Sequence, residues 1–136
     1  MDTKTLASGF KITNLFLMET SFRREAQIDF DAKDIKNEVN IDVDVTVQGK
    51  IIVVTEALDF KRLNGERQEV SSQIKMVGVF EKIGESELDV EDFGYVNGAA
   101  IIFPFIREHL MNLSAKSGIG LIALPPMNFT RKKRNI

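Results

Sequence analysis

From Val39 to Gln48 the chain alternates without a break. Val39, Ile41, Val43, Val45 and Val47 are apolar, and Asn40, Asp42, Asp44, Thr46 and Gln48 are polar. Successive side chains of an extended strand point to opposite faces. The segment is therefore a β-strand with one packed face and one wet, acidic face.

The flanking segments extend the same grammar. In Phe10–Phe22, the residues Phe10, Ile12, Phe16, Met18 and Phe22 share one face at period two, and Leu15 and Leu17 add apolar surface to the other. A strand apolar on both faces needs two covers: the domain core is one, and a partner subunit is the other. After Gln48-Gly49-Lys50, a third strand places Ile52, Val54, Leu58 and Phe60 on one side. Asn64-Gly65 between β-rich runs signals a hairpin. A fourth strand follows, with Val70, Ile74, Met76 and Phe80 on one face and Val77 and Val79 on the other. The expected strands cover residues 9–23, 38–48, 50–64 and 66–83.

The period then changes. Between residues 97 and 116, Ile102, Ile106, Leu110 and Leu113 form a helical stripe. Pro104 lies inside it, and proline in a helix interior removes a hydrogen bond and clashes with the preceding turn. The reading is a short turn before Pro104 and a main helix starting near it. Ser117-Gly118 ends the helix, Pro125-Pro126 keeps the next stretch extended, and residues 130–136 form a loose basic tail. Four antiparallel strands and one helix make a single α+β domain over residues 1–136. One helix cannot cover such a sheet fully, so an oligomer is expected.

The chemistry offered is sparse. Cysteine is absent, which excludes disulfides and thiol nucleophiles. His109 is the one histidine, and it sits beside the helical stripe, where the edge of a packed face is its simplest place. Asp42 and Asp44 point the same way and could meet a cation, but a solvated face accounts for them. No phosphate-cradling glycine pattern and no metal motif occurs, so neither an enzyme nor a cofactor is expected. A net charge of −2 gives no general reason to expect nucleic acid, although Arg131-Lys132-Lys133-Arg134 could touch phosphate or anionic lipid. No apolar run approaches the roughly 20 residues of a membrane span. The N-terminus lacks the pattern of a signal peptide, which makes the cytoplasm the expected location.

Asn97 to Glu108, with its Phe103-Pro104-Phe105 and Arg107-Glu108, followed by Pro126 and Asn128-Phe129, resembles the SecB export-chaperone family. Residues 9–129 carry the resemblance, the strand segments falling in the right order. It implies a Greek-key four-stranded sheet with helices on one side, and dimers that pair into a tetramer through the long helices. It further implies a chaperone that binds unfolded or precursor polypeptides without a cofactor and passes them to the SecA motor. By position, the client groove would be lined by Ile35, Val79, Phe80, Leu124 and Phe129, and the motor would dock on Glu19, Asp42 and Asp44. Two features depart from the pattern. The family's second helix after Asn-Phe is replaced by the short tail, and Arg23 stands where another acid is expected. These departures keep open a SecB-like chaperone dedicated to one partner, such as an antitoxin, and the basic tail keeps open a reading from a different class, a nucleic-acid or membrane-surface adaptor.

Overall fold

The computed structural model describes residues 5–6 (backbone only), 9–86 and 88–130, so the basic run Arg131–Arg134 lies outside the described residues. Strands β1 (Thr5–Leu6), β2 (Phe10–Arg24), β3 (Ile35–Gln48), β4 (Ile51–Asn64) and β5 (Arg67–Lys82) form one antiparallel sheet. Its order is β1-β2-β5-β4-β3. The three strands β3, β4 and β5 meander through two tight turns. Gly49 and Gly65 lead these turns at φ of 59° and 63°, a backbone conformation that other residues rarely adopt. β2 then lies beside β5, so the long strands form a Greek key. Residues 25–34 cross from one side of the sheet to the other to join β2 to β3.

β2 does not keep the uninterrupted alternation expected of it. Its register against β5 slips between Ile12 and Asn14, and again between Leu17 and Glu19. Each slip inserts one extra residue, Thr13 or Met18, and so reverses which side chains face the core. Phe10, Ile12, Leu15, Leu17, Thr20 and Phe22 therefore share the helix-covered face, while Phe16 lies opposite Val77 on the open face.

The helical part begins at α1 (Val90–Phe93), where the Asp89 carboxylate accepts from the Asp92 N–H at 3.2 Å. It runs through a π-helical turn (Gly94–Gly98) into α2 (Ala99–Lys116). The two glycines let the helix press on the sheet. A Cβ on Gly94 would stand 2.7 Å from a Val45 methyl, and one on Gly98 would stand 3.0 Å from a Val54 methyl. Contrary to expectation, Pro104 does not open the main helix but sits within it. Pro104 and Ala100 are both exposed, so water can serve the Ala100 carbonyl that the proline leaves without a donor.

The core lies between α2 and the sheet. Phe10, Ile52, Val54, Leu58, Phe60, Ile74 and Phe80 meet Phe93, Ile102, Phe103, Ile106 and Leu110 there. Phe93 stacks on Phe10 at 3.9 Å and meets Phe80 edge-on at 5.4 Å. The extended segment 119–130 returns along α2. Ser114 Oγ accepts from the Ile122 N–H at 2.9 Å, Leu124 is buried, and Phe129 meets Phe103 edge-on at 5.8 Å.

Candidate functional site

The sheet face away from α2 carries the acidic docking candidates. Glu19 on β2 lies 3.8 Å from Lys75 on β5. Glu19 and Asp42, with Asp59, Gln73 and Lys75, line a shallow hollow of about 210 Å³. Buried Asp59 Oδ1 has no hydrogen-bond partner among the described residues. Asp44 lies on the same face opposite Thr55, and Arg23 lies on it opposite Ser71. The fold thus gathers Glu19, Asp42 and Asp44 onto one surface but mixes in cations, Lys75, Arg23 and Lys61 among them.

The expected groove residues do not converge. Ile35 is half-buried at the start of β3 opposite Asn64, and Val79 points to the open face. Phe80 has 0% of its surface exposed, packed under the helix against Phe93. That position corrects its assignment: a side chain with no accessible surface touches no client. Leu124 is almost fully buried, and Phe129 is half-buried on Phe103.

Other apolar side chains are open to solvent. Leu121 is 66% exposed and, with Pro104, Arg107, Glu108, Met111 and Ala115, lines a hollow of about 390 Å³ along the outer side of α2. Met127 is also exposed on the returning segment. Phe105 is exposed one turn before His109, whose Nε2 lies 3.1 Å from Thr20 Oγ1. Phe105 therefore faces the β2 side, where Leu17 and Met18 are exposed. Phe30, 62% exposed, tops the crossover loop. The signals for two of these were present: an aromatic between two acids in a loop, and a leucine after Gly120 in a stretch without charge.

The crossover loop is stapled from below. The Glu69 carboxylate is 1% exposed and accepts from the Asp29 N–H at 3.2 Å, Arg62 Nε at 3.0 Å and Asn64 Nδ2 at 3.4 Å. Burial alone would raise its pKa. These donors and the Arg62 charge outweigh burial and hold it below the ordinary carboxylate range. Arg24 donates to the carbonyls of Glu25, Ala26 and Ser117, and Arg67 donates to that of Gln27.

Glu56 presents the opposite case. It occupies the core face of β4 between Val43 and Met76, with 0% exposure and neither carboxyl oxygen hydrogen-bonded among the described residues. Burial pushes its pKa from an ordinary 4.5 up to about 8. No group of three or more histidine, cysteine or carboxylate side chains among the described residues could hold a metal ion. No described helix is long and apolar enough to cross a membrane.

An open Greek-key sheet with a long helix on one face and large apolar side chains left in water defines an α+β class with open apolar surface. The comparisons make that class specific. The family described as preprotein translocase subunit SecB matches residues 3–132, and the chain belongs to it. With the family goes a chaperone role. The chain is 25% identical over 127 residues to the protein-export protein SecB of Azotobacter vinelandii, covering 88% of this chain and 76% of that one. It is 26% identical over 110 residues to an uncharacterised protein of Methanocaldococcus jannaschii, covering 76% of this chain and 71% of that one. A SecB-like chaperone of Mycobacterium tuberculosis, solved with a ChAD peptide from the HigA1 antitoxin, shares the fold. Its TM-score is 0.73 at 14% identity, covering 89% of this chain and 93% of that one.

Proposed function

We propose that this chain holds non-native polypeptides in extended form, and that its client surface is the outer side of α2 together with the returning segment. The observation that carries this reading is the hollow beside Leu121. Its neighbouring segment, residues 117–130, contains no ionisable side chain, and it leaves large apolar groups in water. A surface of that kind gains affinity by burying whatever apolar side chains a client offers, so its selectivity is loose. Leu124 and Phe129 support the segment from beneath, and Ile35 borders the crossover loop at the far end of the sheet.

Delivery to the Sec pathway is supported by the names of the bacterial relatives and by the acids Glu19, Asp42 and Asp44 on the open face. A dedicated partner is supported by the antitoxin peptide bound to the structural relative and by Arg23 among those acids. The two readings share a holding activity, and that activity is the thing to test. The wild-type chain is expected to delay refolding of a slowly folding protein diluted from denaturant. Leu121→Asp should weaken that capture about tenfold, with little change in melting temperature because an exposed leucine loses little burial. Refolding unaffected by the wild-type chain, or delayed equally by both chains, would overturn the proposal.

A further inference from the structure

The crossover loop is held far more tightly than joining two strands demands. Within residues 25–29, the N–H groups of Glu25 and Asp29 are bound by the backbone carbonyl and the carboxylate of Glu69, respectively. The carbonyls of Glu25, Ala26 and Gln27 are bound by Arg24 and Arg67. Past the last staple, the Asp29 side chain accepts from the Asp31 N–H at 3.0 Å, and its carbonyl accepts from the Ala32 N–H at 3.4 Å. These bonds close a turn with Phe30 at its tip. The outcome is an exposed aromatic ring on a fixed backbone. A ring left in water by a loose loop would fold back against the nearest apolar surface. Here the peptide bearing it is pinned one residue away, by a carboxylate that has itself given up water.

We propose that Glu69 is a positioning residue for client capture, and that it acts through Phe30 by fixing the Asp29 peptide so that the ring stands in solvent for an incoming chain. The inference rests on the holding activity proposed above. It adds a second point of attachment at the end of the sheet, and the Arg24–Ser117 bond ties that end to the start of the returning segment. A pre-set ring loses less freedom on binding than a mobile one. An extended client that touches both places also gains by their linkage. Glu69 touches no client on this reading, since it has almost no accessible surface.

The test is a double-mutant cycle on the full-length chain, with reduced and carboxymethylated α-lactalbumin as a permanently unfolded probe. Glu69→Gln keeps the side chain's shape but removes the charge that gathers Asp29, Arg62 and Asn64. It should weaken probe binding about fivefold when Phe30 is present, and should add nothing further in the Phe30→Ala background. Hydrogen exchange should show the Asp29 amide opening at least tenfold faster in Glu69→Gln. Arg67→Ala, a change at an exposed residue, should give the same non-additive pattern at smaller size, and serves if Glu69→Gln does not fold. Equal losses in both backgrounds would make Glu69 a purely structural residue and overturn the inference, as would an unchanged Asp29 amide. A wild-type chain that does not bind the probe would instead sink the holding activity, while the exchange measurement would still report on the loop.

Discussion

At the scale of single residues, two buried carboxyls on neighbouring strands show how environment sets charge. Glu69 is surrounded by donors and stays ionised; Glu56 meets none among the described residues and keeps its proton. In the folded chain Glu56 holds that proton up to about pH 8, whereas in the unfolded chain it releases it near 4.5. The folded state therefore binds more protons across that window, and stability falls as pH rises through it. The loss is on the order of 4 kcal/mol by pH 9, all of it absent below the unfolded value. Denaturant unfolding at pH 6 and pH 9 should show about 2–3 kcal/mol of this loss in the wild-type chain, the rest having gone by pH 6, and little of it in Glu56→Met, which fills similar space without a titrating group. An identical pH slope in both proteins would refute the assignment. The sequence offered Glu56 in plain view, on the same face as Ile52, Val54 and Leu58, but alternation assigns a face without saying how deeply it is covered. Phe80 suffered the reverse error. Its match to a groove position took no account of Phe93, which a long loop and a helix bring back against it.

At the scale of elements, β3, β4 and β5 were legible because each has one strongly apolar face and one polar face for most of its length. β2 was not. Leu15, Phe16, Leu17 and Met18 are all apolar, so a one-residue slip leaves no trace in the pattern. Only the partner strand reveals it. The same slips keep the outer side of β2 irregular, which discourages indiscriminate strand pairing there. The helix was legible as a stripe, but its start was misplaced by a rule about proline that weakens where the abandoned carbonyl faces water. Pro104→Ala restores a donor to that carbonyl and should stabilise the chain by about 1–3 kcal/mol, read as a higher melting temperature. A lower melting temperature would mean that the ring's packing outweighs the missing hydrogen bond. The client surface was least legible, because exposure is a property of how elements meet. Leu121 and Leu124 look alike in the sequence, yet one stands in water and the other beneath it.

At the scale of the whole molecule, two groups of exposed apolar side chains flanking α2 suit different uses. Those beside Leu121 suit a client. Leu17, Met18 and Phe105, on the β2 side of α2, suit a second copy of the chain, whose matching strip would cover them through two-fold symmetry. Phe105→Asp is expected to lower the mass measured by light scattering at micromolar concentration, while the far-ultraviolet spectrum stays the same. A wild-type monomer under those conditions would exclude the arrangement. The Greek key carries one more implication, and it concerns time. β3, β4 and β5 close through two-residue turns, but Phe10 at the start of β2 must wait for Lys82 at the end of β5. Distant pairings close late, since the intervening chain must be ordered first. Pulse-labelled exchange during refolding should therefore find β4 and β5 amides protected before those of β2. Synthesis runs in the same awkward order, with β2 made well before the strand it pairs with. Through most of its own translation, the nascent chain exposes Leu15 to Met18 unpaired, the kind of segment its folded form is proposed to hold.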